Sequence, residues 1–212
     1  MKVLILTNPL YKDFIGDIIF PFNADHDVHG YSDARSYPFE TWKKRDYDIG
    51  ISFMYQHKVP AAEVNNHTWF NFHPAPLPKY KGRNLCYHAI MNGEEEFGAT
   101  LHYMDENFDT GDIIEVMKFS ICDDYTAGDV SRLAIEFSKM LFREYLPRII
   151  AGEEFPRLPN VGGTYYKKEA ITDTIKLTDG EPFGQFVRAI TYGDFYPKVD
   201  IGGVTYKIVR EE

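Results

Sequence analysis

Short apolar runs bounded by turn-forming residues recur along the first half of the chain. Residues 2–7 are rich in leucine and β-branched side chains and stop at an Asn-Pro step, which is typical of a buried parallel strand. Residues 46–53 and 69–73 repeat this pattern, and residues 26–31 and 99–105 match it more weakly. We predict a strand in each of these five segments.

Segments with helical spacing lie between and after these runs. Residues 14–19 place their apolar side chains on one face, and residues 85–92 are long enough for two helical turns before a glycine. The strongest pattern covers residues 129–150, and Thr126 with Asp129 forms a capping-box-like start. We predict a helix in each of these three segments.

Strands that alternate with helices predict an α/β fold. We expect a Rossmann-like, mostly parallel sheet with flanking helices, in which ligands bind beyond the carboxyl ends of the strands. Proline and glycine become frequent after residue 155, and a predicted helix at residues 183–190 precedes a predicted β-hairpin at residues 198–209. We therefore predict a main domain over residues 1–155 and a small C-terminal subdomain over residues 156–212.

Composition narrows the functional classes. The net charge of -9 argues against broad nucleic-acid binding, which requires a surplus of Lys and Arg. Neither Cys86 nor Cys122 has metal-ligand spacing, so that we predict no metal site and no disulfide framework. The N-terminal apolar run is too short for a secretory signal or a membrane span. We expect a cytoplasmic protein without a membrane partner.

One segment carries several uncommon elements in a fixed order. Residues 71–113 read NFHPAPLPKYKGRNLCYHAIMNGEEEFGATLHYMDENFDTGDI. An Asn-x-His-Pro sequence comes first, a Leu-Pro-x-Tyr-x-Gly turn follows, and an Asp-x-Gly-Asp sequence ends the segment. Asn-x-His-Pro alone is more typical of a strand end with a hydrogen-bonded loop histidine. In this combination, the segment resembles the formyltransferases that use N10-formyl-tetrahydrofolate.

The resemblance implies a catalytic trio of Asn71, His73 and Asp109, within the formyltransferase fold. An asparagine amide can donate a hydrogen bond to the oxygen that becomes negative when an amine attacks the formyl carbon. A neutral histidine can accept the amine's proton. The carboxylate of Asp109 can orient the histidine, stabilise its charged form, or relay the proton through a water. We assign Asp112 a structural role in the turn.

The resemblance also implies a folate site, with N10-formyl-tetrahydrofolate as the formyl donor. The pterin ring is expected between the loop after the strand at residues 46–53 and the loop at residues 105–108. The candidate residues are Phe53, Met54, Tyr55, Asp105 and Phe108. Core packing of the Phe-Met-Tyr run is an equally good interpretation.

A basic cluster follows the histidine in an otherwise acidic chain. Lys79, Tyr80, Lys81 and Arg83 lie close together in sequence, and Arg and Lys bind phosphate oxygens. We interpret Lys79, Tyr80 and Arg83 as candidate ligands of a diphosphate, although a solvated loop is an equally good interpretation. The cluster suits an anionic substrate such as a nucleotide-linked sugar. The tail segments GTYYKKEAITDTIKL and VRAITYGDFYP resemble those of sugar N-formyltransferases. That resemblance implies a dTDP-linked sugar with a 4-amino or 3-amino group as the formyl acceptor.

Other acceptors and another functional class remain open. Glycinamide ribonucleotide formyltransferases carry a glycine-rich phosphate loop after the first strand, where this chain has Asn8-Pro9. Methionyl-tRNA formyltransferases append a sizeable tRNA-binding barrel, whereas we expect only a short tail here. A folate-binding or sugar-binding module without catalysis is a further alternative. We also expect the C-terminal hairpin to pair two subunits in a homodimer.

Overall fold

The computed structural model describes residues 1–22, 26–30, 46–168, 174–176 and 183–209, of which 26–30 and 174–176 are described as backbone only. The strands are β1 (Val3–Thr7), β2 (His26–Gly30), β3 (Ile49–Phe53), β4 (Thr68–His73), β5 (Tyr80–Gly82), β6 (Glu96–Tyr103), β7 (Ile113–Ser120), β8 (Thr164–Tyr166), β9 (Thr174–Lys176), β10 (Lys198–Ile201) and β11 (Val204–Lys207). The α-helices are α1 (Lys12–Ile19), α2 (Ala61–Asn66), α3 (Leu85–Met91), α4 (Ala127–Ile150) and α5 (Phe183–Ile190). The predicted strand at residues 26–31 is found over the first five of these, and its last residue lies outside the described part.

The central sheet has six strands in the order β2-β1-β3-β4-β6-β7. The first four strands are mutually parallel, while β4 pairs antiparallel with β6 and β6 antiparallel with β7. The predicted α/β fold with a mostly parallel sheet is confirmed. β4 is therefore the strand at which the direction of the sheet changes.

Helix α4 covers one face of this sheet. It begins with a capping box, in which Thr126 accepts a hydrogen bond from the Asp129 amide and the Asp129 side chain accepts from the Thr126 amide. The ring of Phe142 lies 5.0 Å from Phe53 and 5.1 Å from Phe72. Burial of such apolar surface supplies most of the stability of the fold. Because one face of β4 is packed against α4, the side chains on its other face point away from the helix.

Two small sheets lie outside the central one. β5 pairs parallel with β8, and β10 pairs with β9 and β11. The predicted C-terminal hairpin is confirmed as β10 and β11. Gln185 of α5 donates to the carbonyls of Ile90 and Met91 at the end of α3. The domain boundary near residue 155 stays a prediction, and the pairing of β5 with β8 spans it.

Local sequence patterns left some elements unassigned. We predicted no element at β7, although it pairs with β6 along most of its length. β6 begins at Glu96 rather than at residue 99, and α4 begins at Ala127 because its cap is Thr126. In the described part of the chain, none of the helices is both long and apolar enough to cross a membrane.

Candidate active site

The alternation of side chains along β4 creates the site. Phe70 and Phe72 point into the core against α4, whereas Asn71 and His73 point to the opposite face. The strand ends at His73, and a proline follows. β6 lies beside β4 with His102 directly opposite Asn71. A polar face therefore forms at the carboxyl end of a central strand.

His102 holds the side chain of Asn71. Its Nδ1 lies 2.6 Å from the carbonyl oxygen of Tyr103, which can only accept, so that Nδ1 carries the proton. Nε2 is then an acceptor and lies 3.0 Å from Nδ2 of Asn71. Burial, aided by nearby His73, lowers the pKa of His102 from 6.5 to about 4. His102 is therefore neutral at physiological pH, and Asn71 keeps a second N–H for another acceptor.

His73 is 5% exposed and lies between two oxygens. Its Nε2 donates to the carbonyl oxygen of Tyr80 at 2.9 Å. Its Nδ1 lies 3.4 Å from Oδ1 of Asp109. Because the Tyr80 carbonyl fixes the proton on Nε2, Nδ1 is the nitrogen that can accept a proton, and it faces a carboxylate.

Asp109 lies in the loop between β6 and β7 with a left-handed backbone (φ 58°). Its Oδ2 accepts a hydrogen bond of 2.9 Å from the Gly82 amide. The amide of Asn160 donates to the carbonyls of Asp109 and Gly111. A Cβ at Gly111 would lie 2.0 Å from the Tyr103 carbonyl oxygen, so that the turn requires glycine there. These contacts bring the carboxylate beside His73 and assemble the predicted trio in one place.

The predicted folate residues lie at the end of β3 and in two loops, one that follows β3 and one that follows β6. Phe53, the last residue of β3, is completely buried, and its ring packs against Phe142 of α4. Met54 has a left-handed backbone (φ 55°), and Tyr55 is partly buried. In the other loop, Asp105 accepts hydrogen bonds from the Asn107 amide and the Thr110 hydroxyl.

One contact joins the two loops. Phe108 is 45% exposed, and the ammonium of Lys58 lies 5.7 Å from the centre of its ring. This is a cation–π distance. The two loops therefore lie side by side, close to Asp109.

The predicted diphosphate residues do not converge. Lys79 forms an ion pair with Glu94 at 2.6 Å. Tyr80 is 1% exposed, and its hydroxyl donates to the same carboxylate at 2.8 Å. Lys81 is buried, whereas Arg83 is exposed and donates to the carbonyl of Gln56. Among the predicted set, Arg83 is the exposed cation that has no carboxylate partner among the described residues.

Residues 47–146 match the family model described as formyl transferase. This segment belongs to the formyl transferase family. It includes the whole of the trio, β3 to β7 and most of α4.

Curated members of the family resemble the chain over different lengths. The methionyl-tRNA formyltransferase of Syntrophomonas wolfei is 31% identical over 119 residues, which cover 55% of this chain and 37% of that protein. The GDP-perosamine N-formyltransferase of Brucella melitensis is 29% identical over 180 residues, which cover 77% of this chain and 64% of that protein. The chain thus spans less than two thirds of the length of these relatives.

Solved formyltransferases share the fold over nearly the whole chain. A 4-N formyltransferase from Francisella tularensis has a TM-score of 0.82 at 22% identity and covers 99% of this chain, which in turn covers 97% of it. An N-formyltransferase from Helicobacter canadensis, in complex with folinic acid and dTDP-3-aminofucose, has a TM-score of 0.79 at 22% identity over 96% of this chain and 85% of that one. The likeness of fold to these structures therefore extends beyond residues 47–146 on both sides.

Three residues of the site were not singled out by the sequence analysis. His102 lies in the predicted strand at residues 99–105, Asn160 in the proline- and glycine-rich segment after residue 155, and Lys81 in the basic cluster, where it was not among the candidate ligands. Alternation along β6 placed His102 in a strand, but its partner across the sheet depends on register. No local sequence pattern indicated a role for Asn160. Among the described residues, no three His, Cys, Asp or Glu side chains are grouped as metal ligands.

Proposed function

We propose that this protein transfers the formyl group of N10-formyl-tetrahydrofolate to the amine of a nucleotide-linked amino sugar. The observation that carries the proposal is the meeting of Asn71, His73 and Asp109 at the carboxyl end of β4. Membership of the segment in the formyl transferase family supports the formyl chemistry.

Asn71 supplies the donor for the developing negative charge. When the amine nitrogen attacks, a carbon–nitrogen bond forms and the formyl oxygen takes up the π electrons. One N–H of Asn71 is held by His102, and the other, which has no partner in the described part of the chain, can donate to this oxygen. Collapse of the intermediate breaks the bond between the formyl carbon and N10. A prealigned donor of this kind is worth about 10² to 10³ in rate.

His73 takes the proton that the amine must lose. Nδ1 accepts it, either directly or through a water, because Nε2 is already protonated by its bond to the Tyr80 carbonyl. The resulting imidazolium lies against the carboxylate of Asp109, which stabilises the charge. The same proton can then pass to N10 of the departing tetrahydrofolate, so that the histidine returns to its neutral form.

The two loops beside Asp109 are the proposed pterin site. The main chain after β3 is the proposed hydrogen-bonding partner of the pterin, because the Phe53 ring is buried in the core and cannot contact it. The exposed ring of Phe108 offers a stacking surface. The Helicobacter canadensis structure with folinic acid supports a folate donor.

An amino sugar is the acceptor that the remaining features favour. The Brucella melitensis relative is a GDP-perosamine N-formyltransferase and is matched over 77% of this chain. After β1 the chain enters a 3-10 turn capped by Asn8, where a glycine-rich phosphate loop is expected for a glycinamide ribonucleotide enzyme. The net charge of -9 disfavours tRNA. Arg83 is the proposed contact to the diphosphate.

The proposal includes a homodimer. The hairpin of β10 and β11 exposes Ile201, Val204 and Tyr206 to about half of their possible extent. Such a face can pair with its copy around a twofold axis. Gel filtration with light scattering should give twice the chain mass, and Tyr206→Lys should convert the protein to monomers.

The test is an assay of the protein with N10-formyl-tetrahydrofolate and a panel of acceptors, in which product is detected by mass. The panel contains dTDP- and GDP-linked amino sugars, glycinamide ribonucleotide and methionyl-tRNA. A formylated nucleotide sugar, lost in the His73→Asn variant, supports the proposal. Product with another acceptor alone would reject the amino sugar. Folate binding without product for any acceptor would support a binding module.

A further inference from the structure

A segment outside the formyl transferase segment contacts both the loop that carries Asp109 and the turn that carries Gly82. This segment, here named the strap, comprises residues 158–166. At its start, Leu158 and Ile113 exchange two backbone hydrogen bonds of 2.8 and 2.9 Å. At its end, β8 pairs with β5. The strap therefore joins the loop that carries Asp109 to the turn that carries Gly82.

Five hydrogen bonds close a ring through the strap. The amide of Asn160 donates to the carbonyls of Asp109 at 3.0 Å and Gly111 at 2.9 Å. The ammonium of Lys81 donates to the carbonyls of Asn160 at 3.3 Å and Gly162 at 3.0 Å. Gly82, which follows Lys81, donates its amide to the Asp109 carboxylate at 2.9 Å. The ring thus begins and ends at neighbouring residues of β5.

The members of this ring have little freedom to move. Lys81 is 7% exposed, and a buried ammonium must keep its hydrogen bonds because losing them is costly. Both hydrogens of the Asn160 amide are already used. A Cβ at Gly163 would lie 1.6 Å from the Pro78 carbonyl oxygen, which means that the strap packs directly on the turn before β5.

We propose that Asn160 and Lys81 are positioning residues that hold the Asp109 carboxylate against His73. The inference rests on the proposed function, since it assigns these residues to the same reaction. Asp109 lies in a left-handed turn whose two carbonyls point to Asn160. Without that amide the turn loses its outer support, and the carboxylate is free to leave the 3.4 Å contact with Nδ1. Effective catalysis needs this distance to be maintained.

The test compares two isosteric substitutions of asparagine. Asn160→Asp replaces both donated hydrogens by a carboxylate that faces two carbonyls. Asn84→Asp is the matched control, because Asn84 donates to the Lys168 carbonyl just beyond the strap and does not contact the Asp109 loop. We expect Asn160→Asp to lower kcat for formyl transfer at least tenfold while both KM values stay within about twofold. The control should keep kcat within about twofold.

A second measurement does not depend on activity. The Gly82 amide donates to Asp109, so that its hydrogen exchange, followed by NMR, reports on the ring. Exchange at Gly82 should become at least tenfold faster in Asn160→Asp and stay unchanged in Asn84→Asp. Unchanged kcat together with unchanged Gly82 exchange would overturn the positioning role.

Failure of the proposed function can be distinguished from failure of the positioning role. If the parent protein transfers no formyl group, the proposed function fails, and unchanged Gly82 exchange in the variant then rejects the ring independently. If Asn160→Asp does not fold, Asn160→Ala removes the donors without adding a charge and is subjected to the same two measurements. A fall in kcat that is matched by Asn84→Asp would reduce Asn160 to a general stabiliser of the strap.

Discussion

Replacement of Asp109 by Asn isolates the charge of the carboxylate. Asparagine tolerates the left-handed backbone at this position, and its amide oxygen can still accept from the Gly82 amide. The negative charge 3.4 Å from Nδ1 of His73 is lost. At an effective dielectric constant of about 20, a charge pair at this distance is worth about 5 kcal/mol. Because about 1.4 kcal/mol corresponds to a tenfold change, kcat should fall by roughly 10³- to 10⁴-fold.

The amide also changes what faces His73. In Asp109→Asn, an N–H can donate to Nδ1, which then cannot accept the amine's proton. Both effects act on the transition state rather than on substrate binding, so that KM for donor and acceptor should change less than about threefold. Steady-state formylation, followed by mass detection of the product, measures all three constants.

Asp112→Asn is the matched control. Asp112 lies in the same Asp-Thr-Gly-Asp sequence, but its carboxylate is 42% exposed and pairs with Arg157 at 3.4 Å. We expect kcat within about threefold of the parent. Circular dichroism should show that both variants are folded. If Asp109→Asn retains kcat within tenfold of the parent, the carboxylate does not stabilise a charged His73 and the assigned role is wrong.

Three further predictions concern other contacts. Between pH 6.5 and about 4, the unfolded chain binds a proton at His102 that the folded chain does not bind. Acidification through this window should therefore lower the free energy of unfolding by as much as about 3 kcal/mol. Denaturation curves should show a smaller loss in His102→Gln, and an equal loss would exclude His102 as the cause. Arg83→Ala should raise KM for the nucleotide sugar at least tenfold. Lys79→Ala removes a cation that is already paired with Glu94 and should change this KM less than about threefold. Equal effects of the two variants would contradict a specific role of Arg83 in binding the diphosphate. Burial raises the pKa of the Cys86 thiol to about 12. A thiol reagent at pH 8 should therefore label Cys122 and leave Cys86 unlabelled in the folded protein. Rapid labelling of both cysteines would contradict the burial of the Cys86 thiol.

The fold was accessible from the sequence because its elements depend on local patterns, and the trio was accessible because its motifs resemble those of a known family. Apolar runs predicted β1, β3 and β4, and the capping box predicted the start of α4 to within two residues. Alternation along β4 requires Asn71 and His73 to share one face. The meeting of these side chains with Asp109 followed from the family resemblance rather than from spacing.

The remaining features depend on pairings between distant residues. The turn at residues 79–83 looks like a basic loop in the sequence, but β5 pairs with β8, and both Tyr80 and Lys81 are buried. No pattern near Lys81 indicates its partner at Gly162, 81 positions away. For the same reason, a linker rich in proline and glycine gave no sign that Asn160 contacts the Asp109 loop. Register across the sheet, which sets His102 opposite Asn71, is likewise a property of the folded chain.

The pairing of β5 with β8 also has a kinetic consequence. β6 and β7 are consecutive strands that close a short loop, whereas the strap reaches Lys81 and Gly82 only after the whole of α4 has been passed. Contacts between distant positions form more slowly because more chain entropy is lost when they close. During refolding, the central sheet and α4 should therefore regain their circular dichroism before the carboxylate of Asp109 is fixed. Recovery of activity should lag behind recovery of secondary structure, and the length of that lag measures how late the strap docks.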